Sequence, residues 1–494
     1  MEKGTLFLTV SSKSLFNSNA QLETTLYILM TSRYIPEGSR EKSFLSDYQK
    51  RNLLLSYMLM SPHHTNLNEE VSMVQNDDNR LMEFRQLKNE IRGSTQHLVV
   101  GIDIAKERHN AFFGTVSGKT LLRGFVFDNT KEGFEKLCFQ ADILKKQQCF
   151  TKLVFGMEPT ADYHKPLGEY LIRHDHAVVL VAGTAVKRNR ELLDGRWDKN
   201  DTKDAANVAD LITQGKCLFY ELPSSDLREL RSLLSLKRRL KKSEQSYRVR
   251  IRNHLIAQYF PEMDAYFSYG EGPALVRWCL DPDKLAALPF ETFIRMVSSR
   301  NGVEQRRRLG EIHTKAASSI GCVAHPSVAF EAATLLEGSR QLHTMMLETD
   351  KKIAEVCRRF PEYPCLLSIP GFGPDISAKV LGALGNPHRF DNHRQVLKTA
   401  GLDLSAERSG KHQGTPVISK RGKADLRYGL YQAALIASTR NHHFMTYFTH
   451  KLKGREREKG IGTKMRVKLA AKMLVIAWTL MKKKETFDPR CMED

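Results

Sequence analysis

The stretch Leu98-Val99-Val100-Gly101-Ile102-Asp103, an apolar run that stops on a carboxylate, decides the fold of this chain. It is short and β-branched, which predicts a buried strand with an acid at its tip. A second such run, Leu153-Val154-Phe155-Gly156-Met157-Glu158, also ends on an acid and is followed by the turn residues Pro159 and Thr160. Downstream, Lys199-Asn200-Asp201-Thr202-Lys203-Asp204-Ala205-Ala206 begins a helical stretch. Its two aspartates stand three residues apart, which puts both on one helical face.

Any one of these acids, taken alone, is a solvated strand end or a helix cap. As a set they pose an electrostatic problem, because clustered carboxylates repel unless a cation lies between them. Magnesium, or manganese in its place, takes oxygen ligands and keeps some waters for substrate phosphates. Two such ions about 4 Å apart steady the attacking and leaving oxygens of a phosphodiester. Asp103, Glu158, Asp201 and Asp204 are therefore the candidate metal-binding and catalytic acids.

The order of elements supports this. Strand-like runs at His109–Val116 and Leu121–Phe127, joined through Ser117-Gly118-Lys119, make the first three strands an antiparallel meander. A helix then leads to the strand ending at Glu158. Helix (Tyr163–Arg173), strand (Ala177–Val181) and helix (Thr184–Leu193) follow, the alternation of a mixed sheet covered by helices. Residues 96–222 thus have the order of a RuvC-like or RNase H-like nuclease domain. The expected fold class is α/β plus α, with that domain followed by helical coiled-coil and C-terminal segments.

Charge points to the partner. Seventy-six Lys and Arg against 56 Asp and Glu leave a net charge of +20, a footprint suited to phosphate backbones. The eight cysteines fall singly, with neither CxxC nor a Cys/His ladder, so neither a zinc ribbon nor a disulfide framework is supported and a reducing cytoplasm fits. Apolar stretches such as Leu53–Met60 and Leu469–Met481 are too short or too interrupted to span a bilayer.

From Ser224 the character changes. Asp226 with Glu229 three residues on gives a capping signal for a long helix carrying Leu230, Leu233, Leu236, Leu240, Tyr247, Ile251 and Leu255 at helical spacing. Its other faces carry Lys237, Arg238, Arg239 and further cations, which either follow a nucleic-acid backbone or form a solvated face. A second amphipathic helix is predicted from Arg340 to Phe360. The two pair as an antiparallel coiled coil or join two subunits. Residues 223–362 form this coiled-coil region, with a helical insertion at about 261–338.

Residues 363–494 form a third region. It opens with Leu367-Ser368-Ile369-Pro370-Gly371-Phe372-Gly373-Pro374, where Gly371 and Gly373 could turn backbone amides toward a phosphate or simply break a helix. Further on, Ser405, Ser409 and Ser419 lie among Arg408, Lys411, Lys420 and Arg421, with Arg427 beyond. A serine hydroxyl is a weak nucleophile unless a base, guanidinium groups or a metal assist it. On chemistry alone these are ordinary loop serines.

The whole pattern resembles the DEDD-type insertion-sequence transposases of the IS110 family over residues 97–485. The resemblance rests on Gly-Ile-Asp-Ile-Ala-Lys, the Glu158-Pro-Thr turn, Lys-x-Asp-x-x-Asp-Ala, Ile-Pro-Gly-Phe-Gly-Pro, Ala-Gly-Leu, Arg-Ser-Gly and Ile-Ser-Lys-Arg-Gly. It implies a prokaryotic, nucleoid-associated serine recombinase guided by a structured bridge RNA, acting on donor and target DNA as a homodimer or homotetramer. It further implies that the four acids bind Mg2+ and that Ser409, in the Ser-Gly step after Ala-Gly-Leu, attacks DNA to form a phosphoserine intermediate, with Ser419 as second choice. Asn200 stands where the family usually has threonine. Residues 1–95 have no counterpart in that pattern, as expected of a start assigned too far upstream or of a weakly ordered extension, with a true accessory domain as the lesser alternative. A water-using structure-specific nuclease and a non-catalytic nucleic-acid-binding relic are the competing functions.

Overall fold

The computed structural model describes residues 64–194, 201–267, 272–298, 303–405, 408–409, 412–413 and 416–492. Side chains 64–76, 192–194 and 201, and those of Ser409 and its neighbours, also fall outside the description. Glu70–Asp494 forms one compact unit.

A six-stranded sheet organises the first part of the chain. Its strands are β1 (His97–Asp103), β2 (Arg108–Thr115), β3 (Thr120–Asp128), β4 (Lys152–Met157), β5 (Ala177–Leu180) and β6 (Leu218–Phe219), in the spatial order β3-β2-β1-β4-β5-β6. The meander is antiparallel, β4 and β5 run parallel to β1, and β6 closes the edge antiparallel. Apolar side chains from Leu98, Val100, Ile102, Phe113, Phe155 and Leu167 fill one face. Val99, Val154, Val179, Val208 and Ile212 fill the other.

The segment ahead of the sheet contributes to this packing. Helix α1 (His64–Glu90) is tied down from residue 77 onward, since Arg80 donates to the Tyr220 carbonyl at 2.7 Å and Ile91 is wholly buried in the second core. Burial pushes the Asp77 carboxyl up to about 6, against the pull of Arg80 and of the Leu222 amide. Asn386 donates to Asp78 at 3.0 Å and Arg85 pairs with Asp391, so the same helix also touches the C-terminal region. Residues 77–95 are thus structurally continuous with the sheet, whereas residues 1–63 lie outside the described residues.

Helices cover the sheet: α2 (Lys131–Gln147), α3 (His164–Arg173), α4 (Gly183–Asp194) and α5 (Asp201–Thr213). Then α6 (Ser225–Arg250) leads through a π-helical turn, Ile251–Ile256, into a short helical turn at Ala257–Tyr259. The cap of α6 is Ser224, whose Oγ accepts from the Leu227 amide at 3.3 Å. Asp226 and Glu229, which the sequence offers as the cap, instead bind Arg359 at 2.6 and 2.9 Å.

Four insertion helices follow, α7 (Gly272–Cys279), α8 (Pro282–Ala287), α9 (Phe290–Val297) and α10 (Val303–Ala316), packed into a core of their own with Ile251, Phe260, Phe293, Leu309 and Leu335. The 32-residue α11 (Pro326–Cys357) then returns along α6. Lys237 meets Asp350 at 2.6 Å, Glu244 meets His343 at 3.9 Å, and a Cβ at Gly338 would touch the Tyr247 ring. The partners fall in α11 as they rise in α6, so the helices are antiparallel within one chain.

The C-terminal region packs α12 (Glu362–Leu367), α13 (Pro374–Leu384), α14 (His393–Ala400), α15 (Ala424–Arg440), α16 (His442–Leu452) and α17 (Ile461–Lys483) around Leu366, Val380, Val396, Leu430 and Met473. Two small ribbons project between α14 and α15. One pairs β7 (Leu404–Ser405) with β10 (Val417–Ile418), and the other pairs β8 (Arg408–Ser409) with β9 (His412–Gln413). No helix among the described residues is long and apolar enough to cross a membrane.

Candidate functional site

Strand register positions the first two acids. β1 and β4 are parallel with Gly101 beside Gly156 and Ile102 beside Met157, so Asp103 and Glu158 come next in line on adjoining strands. A Cβ on Gly101 would lie 2.2 Å from the Ala205 carbonyl, and one on Gly156 would lie 2.2 Å from Ile212 Cδ1. Both glycines therefore face α5, and their absent side chains let that helix settle onto the sheet. Alternation carries Asp103 and Glu158, two residues further on, to the same face.

Two local devices hold these acids. After Asp103 the chain turns, and His109 Nδ1 accepts the Ala105 amide at 3.2 Å; burial keeps this imidazole below its ordinary pKa and hence neutral, as an acceptor must be. Glu158 lies against the start of α4. A Cβ on Gly183, the first residue of that helix, would fall 2.5 Å from Glu158 Oε1, so a larger residue there would push the carboxylate from this position. The positive end of the helix dipole favours a carboxylate at this position.

Helix α5 brings the second pair of acids over the same face. Asp204 is buried at 3% exposure, and Arg190 of α4 donates from Nε to its Oδ1 at 2.7 Å. An amide network sets α4 against α5: Asn189 donates to Asn207 Oδ1 at 2.8 Å and Asp210 Oδ2 at 2.7 Å, and Asn207 donates to the Val186 carbonyl at 2.8 Å. The Asp201 side chain lies outside the described residues. Among the described residues no three His, Cys, Asp or Glu side chains converge as a metal-holding group. The donor chemistry nevertheless suits a hard divalent cation, since Asp103 and Glu158 offer oxygens on one face and Asn110, opposite Asp103 in β2, has a buried Oδ1 with no hydrogen-bond partner.

The candidate nucleic-acid residues divide by environment. Lys237 is half-buried between Asp350 and Asp375, at 2.6 and 2.7 Å. Burial would lower its ammonium pKa, but those two hydrogen bonds carry it above the ordinary lysine value. Arg427 donates to the Ala400 carbonyl at 2.9 Å and so braces the ribbon base. Arg238 sits 3.5 Å from Asp425, while Arg239, Lys420 and Arg421 are exposed. Gly371 has φ of +90° and packs so closely on α15 that a Cβ would meet the Ala433 carbonyl at 2.6 Å; that close approach accounts for glycine there. Gly373 precedes α13 and faces open space.

Of the two serines, Ser419 is pinned. Its Oγ donates to Asp403 Oδ1 at 2.6 Å and its amide to the Asp403 carbonyl at 2.8 Å. Ser409 lies in β8 with His412 as its register partner. Its side chain, like Lys411, lies outside the described residues.

Known proteins place the chain. Residues 100–261 match the model of the DEDD-type IS110 transposases, described as transposase, and residues 363–449 match a second, described as the transposase IS116/IS110/IS902 family. The chain is similar to an insertion element IS116 protein of 44.8 kDa from Streptomyces clavuligerus, at 24% identity over 80% of this chain and 98% of that one. It is also similar to a putative transposase, y4rJ, of Sinorhizobium fredii, at 34% identity over 24% of this chain and 30% of that one. A mixed-sheet domain and a helical domain that match two transposase models in sequence order define a DNA transposase. Both matched models and the Streptomyces protein are of the IS110 and IS116 elements, which the chain resembles in these regions.

Three residues of the acidic face escape sequence reasoning. Gly183 and Arg190 are recognisable only once α4 is docked, and Asn110 only once the β1–β2 register is known. An asparagine inside a predicted strand is the one signal that was available.

Proposed function

We propose that this transposase is a recombinase that cuts and rejoins donor and target DNA under the guidance of a structured RNA, with Asp103, Glu158, Asp201 and Asp204 binding Mg2+ and Ser409 as the nucleophile. The observation that supports the acidic half is the alignment of Asp103 and Glu158 on adjacent parallel strands beneath the helix bearing Asp201 and Asp204. The sheet order, an antiparallel meander joined to a parallel pair, is that expected of a RuvC-like domain. Bound magnesium would stabilise charge on the reacting phosphodiester.

The chain's own groups do the rest. Ser409 Oγ attacks phosphorus, the P–O bond to deoxyribose breaks, and the serine proton passes through solvent or a base to the leaving oxygen, so the released DNA end carries a hydroxyl. In the return step a deoxyribose hydroxyl of the second DNA attacks the phosphoserine and Ser409 leaves, so each phosphodiester bond is conserved. Exposed cations such as Arg239, Lys420 and Arg421 would hold backbones, leaving sequence choice to RNA pairing. The acids and the serine belong to separate matched regions, which suits a site assembled between subunits of a dimer or tetramer.

The test is a denaturing gel of the protein purified with its element RNA, magnesium and labelled junction DNA. A protein-linked DNA band, absent from Ser409→Ala and Asp103→Ala, is the expected result. Free cleaved DNA with no adduct, unchanged by Ser409→Ala, would instead identify a nuclease that uses activated water.

A further inference from the structure

The acidic face holds one more oxygen than its carboxylates provide. Asn110 of β2 is the antiparallel register partner of Asp103. Directly opposed residues of such a pair project from the same face with Cβ atoms about 5 Å apart, so the amide stands beside the Asp103 carboxylate. Helix α5 covers both, and Asn110 Nδ2 reaches Thr202 Oγ1, in its first turn, at 3.5 Å. Asn110 Oδ1 is buried and meets no donor.

That arrangement is unfavourable in an apolar setting and favourable beside a cation. A buried acceptor without a donor forfeits its hydration, and asparagine is depleted from strand interiors; the long contact to Thr202 occupies Nδ2 but leaves Oδ1 unaccounted for by the fold. Two residues along, the same face of β2 carries Phe112, half-buried against the apolar core. Hard divalent ions accept neutral amide oxygens alongside carboxylates, and such a ligand completes a coordination shell without adding negative charge to a site that already has four acids.

We propose that Asn110 Oδ1 is an oxygen ligand of the divalent cation held by the acids. This rests on the reading of the acids as a metal centre. The wild-type chain and its Asn110→Leu, Asn110→Asp and Asp103→Asn variants would be titrated with Mn2+, free ion being followed by electron paramagnetic resonance, and each would be melted with and without the metal. Leucine keeps the shape and removes the lone oxygen. Asn110→Leu is therefore expected to melt without metal at or above the wild-type temperature, and to bind Mn2+ about 10-fold or more weakly, while Asn110→Asp retains binding.

Wild-type Mn2+ affinity in Asn110→Leu overturns the proposal, most plainly if that variant also melts lower without metal, because the amide then serves the fold. Mn2+ uptake that is absent from the wild type, or unaffected by Asp103→Asn, overturns the metal-centre reading itself, and the ligand with it.

Discussion

Arg190 and Asp204 form an ion pair across the α4–α5 contact, Nε to Oδ1 at 2.7 Å, with the aspartate side chain 5% exposed and the arginine 22%. Here a guanidinium holds Asp204, the most buried of the candidate acids whose side chains are described. An ionised carboxylate so enclosed needs a positive partner, which Arg190 supplies here and which, on the proposed function, a bound metal ion would supply instead. Arg190→Gln is expected to lower metal-free stability by about 2 to 3 kcal/mol, since it leaves a buried charge partly unpaired. Magnesium should recover more of the melting temperature in this variant than it adds to the wild type. Melting curves with and without magnesium check both parts.

Gly183→Ala separates activity from stability. The new Cβ would fall 2.5 Å from Glu158 Oε1, a contact that only displacement of the carboxylate relieves. Alanine is otherwise at least as favourable as glycine in a helix, so stability should change by less than about 1 kcal/mol. If Glu158 is the metal ligand proposed above, magnesium-dependent DNA cleavage should fall by about 10-fold or more, because a misplaced ligand cannot serve the cation. Cleavage at wild-type rate would show that Glu158 works from another position.

The sequence carried the sheet well, because strand tips and period-two burial are local signals. Asp103 and Glu158 were recognisable from the apolar runs that end on them. The edge strand Leu218–Phe219 was missed, since two residues held by pairing with β5 have no periodicity of their own. The start of α6 was misassigned in detail: Asp226 and Glu229 have the spacing of a capping box, but Arg359, more than a hundred residues away, takes both. Lys237 looked like its basic neighbours until α11 and α13 brought Asp350 and Asp375 against it. What the sequence hid was long-range pairing, which decides whether a cation is spent inside the protein or left for a nucleic acid.

That distinction gives a paired prediction. Lys237→Met leaves two half-exposed aspartates without their shared ammonium and is expected to cost about 1 kcal/mol of stability with little change in the salt dependence of DNA binding. Arg239→Met, on an exposed face of the same helix, should leave stability within about 0.5 kcal/mol. If Arg239 contacts a phosphate, the same variant lowers the slope of log affinity against log salt by about 1. Thermal melts and salt titrations of DNA binding resolve the two positions.

Asp77 gives the chain a pH signature at the junction of α1 with the sheet. Burial raises its folded pKa from 3.8 to about 6 despite Arg80 at 2.6 Å, so between those values the folded state binds more protons than the unfolded state. Stability from this group is then fully present below pH 3.8 and is lost as pH rises through about 6. An asparagine in its place would stay neutral throughout and would keep an oxygen for the Leu222 amide, which Asp77 Oδ1 accepts at 3.4 Å. Asp77→Asn should therefore gain stability relative to wild type as pH is raised from 4 to 7, roughly the window between the two pKa values. The difference in melting temperature between the two proteins, measured across that range, is the readout. A difference that stays flat would place the ionised carboxylate in solvent and α1 away from the Tyr220–Leu222 turn.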